Sequence, residues 1–110
     1  MAARYEIFIG SNSQHYFRLK AGNGEIILQS EGYQSKGGAQ NGVDSVRQHS
    51  PHDRYYDRQT SNAGQPYFNL YASNGKIIGT SQMYSSTYAR DNGIASVKAN
   101  GPSAPLVDLT

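Results

Sequence analysis

Residues able to do chemistry are sparse in this chain. Its three histidines are His15, His49 and His52. Two of them fall in the single metal-like cluster, His49-Ser-Pro-His52-Asp53. Pro51 breaks any helix there, and the spacing matches none of the usual zinc arrangements. Fifty-one residues further on, the equivalent positions are Asn100, Ser103 and Ala104, so the cluster belongs to no repeated design. It reads as a solvated loop. Asp44, Asp53 and Asp57 have no evident partner for acid–base work. The 110 residues include no cysteine, which removes disulfides, thiolate metal sites and a cysteine nucleophile. There is no Gly-x-Ser-x-Gly elbow, no phosphate loop and no Gly-x-Gly-x-x-Gly. The expectation is no catalytic residue, no metal and no cofactor.

What the chain does carry is tyrosine, nine residues in all, and its value depends on the elements that display it. The stretch Tyr16-Phe-Arg-Leu-Lys-Ala-Gly-Asn-Gly-Glu-Ile-Ile-Leu28 returns as Tyr67-Phe-Asn-Leu-Tyr-Ala-Ser-Asn-Gly-Lys-Ile-Ile-Gly79. Each copy is two β-type runs joined at Asn-Gly, a strong hairpin signal, and a two-residue type I′ turn is expected. That turn sets strands over 15–21 and 25–31, with Ala21 facing Ile26. Faces alternate along a strand. One face then carries Phe17, Leu19, Ala21, Ile26, Leu28 and Ser30, and the other Tyr16, Arg18, Lys20, Ile27, Gln29 and Glu31. The second copy sorts alike, with Phe68, Leu70, Ala72, Ile77, Gly79 and Ser81 inward. Tyr67, Asn69, Tyr71, Ile78, Thr80 and Gln82 then face outward.

The offset of fifty-one residues holds without a gap from Tyr5/Tyr56 to Asp57/Asp108, the mark of a tandem repeat. A first strand at Arg4 to Ile9 precedes the first hairpin. A helix follows each hairpin, capped by Ser35 and Ser86. Ala39, Val43 and Val46 share one side of the first helix, and Ile94 and Val97 one side of the second. Gly42 and Gly93, inside these helices, predict close contact with the sheet. Gly37 and Gly38 should leave the first helix frayed, and Tyr33 and Tyr84 should anchor the strand-to-helix turns by packing. Pro51 and Pro102 mark the exits. Residues 54–59 align both with the start of the first repeat and with the chain end. We therefore expect one domain of two repeats, about 4–53 and 54–110, sharing the strand around 54–59.

The outward face is the candidate site: Tyr16, Arg18 and Lys20 with Tyr67 and Tyr71, joined by Ile27 and Ile78. Aromatic and basic residues on an open sheet can hold single-stranded nucleic acid. The basic character is one-sided, however, because Arg18 and Lys20 become Asn69 and Tyr71. The two isoleucines add an apolar component of the kind that marks a protein partner. A formal net charge of +2 is too small to imply an acidic partner. No apolar run approaches membrane-spanning length, and the chain enters a strand pattern almost at once. No membrane partner and a cytoplasmic location are expected.

The pattern Tyr-Phe-x-Leu-x-Ala-x-Asn-Gly-x-Ile-Ile, followed by Glu-Gly-Tyr-x-Ser-Lys and Gly-Val-Asp-Ser-Val-Arg, resembles the YegP-like family, as does the later Gly-Ile-Ala-Ser-Val-Lys-Ala-Asn-Gly. The resemblance covers essentially the whole chain in a two-repeat form. It implies an α+β fold of two tandem β-β-β-α-β repeats fused into a single antiparallel-rich sheet. The closing strands would be swapped between repeats, with two helices on one face and a pseudo-two-fold relating the halves. One-repeat relatives would build the same object as homodimers, so this chain is expected to be a monomer. The resemblance brings no catalytic or binding residue with it.

Overall fold

The structure, a computed structural model, describes residues 2–110. In chain order the elements are β1 (Arg4–Ile9), β2 (His15–Lys20), β3 (Ile26–Gln29), α1 (Lys36–His49), β4 (Tyr56–Thr60), β5 (Pro66–Tyr71), β6 (Ile77–Thr80), α2 (Thr87–Asn100) and β7 (Leu106–Asp108). All seven strands join one sheet in the order β4-β5-β6-β3-β2-β1-β7. Every pairing is antiparallel except β1 with β7, where the last strand of the second repeat runs beside the first strand of the first. The chain is thus α+β, with both helices packed on the sheet face that carries the core.

The hairpins differ from the expected two-residue turn. In each of the four, the loop holds three residues and its third residue is left-handed: Ser13 (φ 66°), Gly24 (87°), Gly64 (82°) and Gly75 (83°). At the first Asn-Gly, the Gly24 N–H donates to Ala21 O and the Ala21 N–H to Glu25 O, at 2.9 and 2.8 Å. Asn23 is not left-handed; its side-chain oxygen accepts from the Glu25 N–H at 3.0 Å. Beyond this loop the β2–β3 ladder also carries a bulge. Leu19 pairs with Leu28 and Lys20 with Ile26, so Ile27 is the extra residue.

That bulge overturns one expected assignment. Ile27 and Ile78 are not on the outward face; they are 4% and 7% exposed, within the core. Ile26 and Ile77, expected inside, pair with Lys20 and Tyr71 and are only partly buried. The strands are also shorter than 15–21 and 25–31. The rest of the expected core holds: Phe17, Leu19, Leu28, Val43 and Val46 are buried, as are Phe68, Leu70, Ile94 and Val97.

Ser13 holds a conformation that glycine holds in the other three loops, including its repeat counterpart Gly64. A left-handed L-residue is strained by about 1 kcal/mol or more, and part of that relief is lost to glycine's looser unfolded chain. Ser13→Gly should therefore stabilise the protein by about 0.5 kcal/mol, raising the melting temperature by about 2–4 °C. A thermal melt showing no rise or a fall would contradict this.

The helices start as expected, with Ser35 Oγ accepting from the Gly38 N–H and Ser86 Oγ from the Ala89 N–H, each at 3.0 Å. Gly37 and Gly38, expected to fray α1, lie inside its regular first turn. Tyr33 stacks on Phe17 and Tyr84 on Phe68, at centroid separations of 6.3 and 6.4 Å. Each tyrosine closes on a helix glycine. A Cβ on Gly42 would stand 2.6 Å from both the Phe17 ring and Tyr33 Oη, and one on Gly93 would be closer still to Tyr84 Oη. In an open helix, alanine outdoes glycine by about 1 kcal/mol. Here overpacking, about 1–3 kcal/mol, should win. Gly42→Ala and Gly93→Ala should each lower stability by about 1 kcal/mol in urea denaturation. Gly37→Ala, whose nearest neighbour is Ser35 Oγ at 3.9 Å, should raise it. Same-sign effects at Gly37 and Gly42 would refute the packing argument.

The two repeats meet at the middle of the sheet and at their helix ends. Gln29 of β3 pairs with Thr80 of β6, its own repeat counterpart. Beside that pair, Leu28 fills the space over Gly79, again its counterpart; a Cβ on Gly79 would sit 2.6 Å from Leu28 Cγ. At the helix ends, the fully buried Ser50 packs on Gly101, also its counterpart. Tyr5 donates its hydroxyl to Gly101 O, and Tyr56 donates to Ser50 O, both at 2.7 Å. Burial raises the pKa of both phenols well above the ordinary tyrosine value. The last strand is tied back to the first repeat by Arg47 donating to Ala104 O (2.9 Å) and by Lys36 with Asp108 (2.8 Å).

His49 is a second correction. It is not in a solvated loop: α1 runs through it, and the residue is 9% exposed. Nδ1 lies 2.7 Å from Ser45 O, while Nε2 accepts from the Ser73 N–H at 3.0 Å. The ring is therefore the Nδ1–H tautomer, and it fastens the β5–β6 loop of the second repeat to the helix of the first. His52 is exposed, as expected.

Candidate binding face

One face of the sheet carries no helix. Across β1 and β2 it presents Arg4, Glu6 and Phe8 beside Tyr16, Arg18 and Lys20. Glu6 is the centre of this end and is only 4% exposed. It accepts from Arg4 Nε and Arg18 Nε, each at 2.8 Å, and Lys20 Nζ lies 3.3 Å away. Burial alone would push the Glu6 carboxyl up. Hydrogen bonds from the three cations outweigh burial and hold it at about 2. The three cations are thereby fixed against the sheet. Phe8 stacks on Tyr16, with centroids 5.6 Å apart, and the Arg18 guanidinium lies 4.4 Å from the Phe8 centroid. Asn12 donates to the Tyr16 hydroxyl at 2.9 Å. On the outer side of Glu6, β7 adds Val107, 37% exposed, followed by Leu109, 51% exposed.

The other end is built by β5 and its neighbours. Tyr67 stands opposite Gln59, and Asn69 opposite Asp57. Tyr71 pairs with Ile77. Asn69 Oδ1 accepts from the Thr80 hydroxyl at 2.8 Å. Three strand steps separate β2 from β5, so the two ends lie roughly 14 Å apart. The first carries three cations against one carboxylate; the second carries the carboxylate of Asp57 alone.

Of the residues singled out from the sequence, Tyr16, Arg18 and Lys20 fall together at one end and Tyr67 and Tyr71 at the other. Ile27 and Ile78 are not on this face; Ile26 and Ile77 take their places. Sequence reasoning missed Arg4, Glu6 and Phe8, although the alternation with buried Tyr5 and Ile7 was there to be read. Among the described residues no group of three His, Cys, Asp or Glu side chains is placed to hold a metal ion. Among the described residues no helix is long and apolar enough to cross a membrane.

This arrangement of β-β-β-α units has known relatives. A family described as a domain of unknown function, DUF1508, matches the chain twice, over residues 11–57 and 61–108. The chain belongs to this family. A UPF0339 protein of Shewanella oneidensis is 54% identical over 110 residues, covering all of both chains. The UPF0339 protein YegP of Escherichia coli K12 is 51% identical, again over all of both chains. Two solution NMR structures are also similar. That of a UPF0339 protein from Shewanella oneidensis has a TM-score of 0.93 at 55% identity, covering 100% of this chain and 93% of its own. That of E. coli yegP, described as a protein of unknown function, has a TM-score of 0.94 at 51% identity, covering 100% of this chain and 95% of its own. The double match and the two solved folds bear out the two-repeat α+β architecture.

Proposed function

We propose that this protein is a non-catalytic, cytoplasmic interaction module that presents its helix-free sheet face to another protein. The observation that carries this reading is the occupation of the aromatic and basic groups at the Glu6 end. Phe8 is engaged by Tyr16 and Arg18, and Arg4, Arg18 and Lys20 converge on Glu6. A base-stacking platform needs ring faces open to bases and cations open to phosphates; at this end the Phe8 ring and the three cations are already engaged. Its apolar border of Val107 and Leu109, together with the partly exposed Ile26, Ile77, Tyr67 and Tyr71, has the mixed character of an interface. Single-stranded nucleic acid is the second reading, favoured by the surplus of positive charge at that end.

The test is site-specific photocrosslinking from position 67 or 71 in cells. Capture of one protein, lost in folded Arg18→Glu and Tyr71→Ala variants, supports the proposal. Capture that ignores both substitutions, or that yields nucleic acid, contradicts it.

We also propose a monomer of two repeats related by a two-fold axis between Gln29 and Thr80. Supporting it, the exposed edge of β4 is poorly suited to pairing. The Tyr56 N–H is spent on Asp53 O, and Arg58 ties to Asp53 at 2.9 Å. Charged side chains on an edge strand discourage strand addition. A sedimentation mass of twice the chain mass at micromolar concentration would overturn this.

A further inference from the structure

Two clefts open where the hairpin of one repeat meets the helix of the other, and each is built from both repeats. The larger, about 500 Å³, lies among Tyr33 and Ser45 of the first repeat and Ala72, Asn74 and Ile78 of the second. The smaller, about 330 Å³, lies among Tyr84 and Ser96 of the second repeat and Ala21, Asn23 and Ile27 of the first. These are the same five residues at the offset of fifty-one, so the clefts are repeat counterparts with one shared lining. Both volumes fall within or near the range of small-ligand sites.

Their charged lips differ. The larger cleft has Glu31 on the Tyr33 side and Lys76 on the hairpin side; the smaller has Gln82 and Glu25 at those positions. Burial raises the Tyr33 phenol and Glu31 adds to the rise; burial also raises Tyr84, opposed by a hydrogen bond with Gln82 and aided by Glu25. Glu25 and Lys76 occupy equivalent positions on the hairpin side of the two clefts. Among the described residues, neither Glu31 nor Lys76 makes an ion pair. The larger cleft thus offers an unpaired carboxylate, an unpaired ammonium, two hydroxyls and an aliphatic floor. His49 holds its hairpin wall in place through Ser73, a bond for which the smaller cleft has only Asn100 in the histidine's position.

We propose that the larger cleft binds a small zwitterion of the aliphatic α-amino acid class. Lys76 takes the carboxylate, Glu31 takes the ammonium, and the side chain rests on Ile78 and Ala72. The smaller cleft, with Glu25 and Gln82 at those positions, offers no cation for the carboxylate, holds the same ligand more weakly and serves as an internal control. This inference concerns a different surface from the helix-free face, with which the cleft shares Ile77.

The test is an amide chemical-shift titration of the full chain with L-leucine, L-leucinamide and N-acetyl-L-leucine. The expected result is saturable shifts with L-leucine at residues 31–33 and 72–78, with an affinity of about 1–10 mM. Residues 82–84 and 21–27 should respond at least several-fold more weakly. Leucinamide, which lacks the carboxylate, and N-acetyl-leucine, which lacks the ammonium, should each bind about three- to fivefold more weakly. Lys76→Glu, an exposed change that copies the smaller cleft, should abolish the response. The double change Glu25→Lys with Gln82→Glu should transfer it to residues 82–84 and 21–27. Absence of saturation at tens of millimolar, equal binding of all three probes, or a response unchanged in Lys76→Glu would overturn the proposal.

Discussion

Gly79→Leu, which makes the two repeats identical at that position, should destabilise the protein by about 3 kcal/mol or more. The reason is the crossing of the repeats at the middle of the sheet. Position 79 faces its own counterpart, Leu28, which is fully buried and already occupies the space. Two leucines cannot fit where a Cβ alone would approach Leu28 Cγ to 2.6 Å. Leu28→Gly alone should also cost about 3–4 kcal/mol, through a cavity and a glycine inside a strand. The double variant exchanges the two residues and should recover much of the loss. A double-mutant cycle by urea denaturation should therefore show a coupling energy of about 2 kcal/mol or more. Additive single effects would mean that the two side chains do not share one space. At this contact the two repeats differ, and Ser50 against Gly101 is a second contact between unlike counterparts.

Glu6→Gln should cost about 2 kcal/mol at neutral pH, and the cost should vanish in acid. The carboxylate is almost wholly buried, whereas the side chains of Arg4, Arg18 and Lys20 are about a quarter exposed. Stranding three cations beside a neutral amide is costly, but their exposure lets them turn toward water, which reduces the penalty. The pH dependence has a definite sign. The folded-state pKa lies near 2 against an ordinary value of 4.5. A depressed carboxyl contributes its stability above the unfolded value and loses it as pH falls toward the folded one. The wild-type advantage over Glu6→Gln should be full at pH 6 and close between about pH 4.5 and 2. A gap that stays constant with pH would show that Glu6 acts by shape rather than charge.

Much of this architecture could be read from the residues because its signals are local. The fifty-one-residue offset, the serine caps, the buried valines of α1 and the glycines under Tyr33 and Tyr84 each rest on a residue type with few alternatives. The misassigned isoleucines show where local reading fails. Gly22-Asn23-Gly24 suits a two-residue turn at Asn-Gly and a three-residue loop ending at Gly24 equally well. The choice shifts the pairing by one residue between the loop and the bulge, so Ile26 and Ile27 exchange faces, as do Ile77 and Ile78, while Leu28 keeps its expected partner. His49 was obscured by Pro51, which suggested a loop, although a helix can run to the second residue before a proline. In the structure its counterpart behaves alike: Asn100 donates to Ser96 O at 2.9 Å, four residues back, as His49 does to Ser45. The clefts were legible only in part. Their lining stood among the identical repeat pairs, but that a hairpin of one repeat meets the helix of the other depends on the order of strands in the sheet.

The central claim, that the helix-free face is a protein-binding surface and not a nucleic-acid platform, is tested most directly by titrating short single-stranded RNA and DNA while following amide chemical shifts. Electrostatic binding is strongest at low salt, so the comparison is made at low and at physiological ionic strength. The account predicts no saturable shift on this face under either condition. Salt-sensitive shifts centred on Tyr16, Arg18, Lys20, Tyr67 and Tyr71 would contradict it.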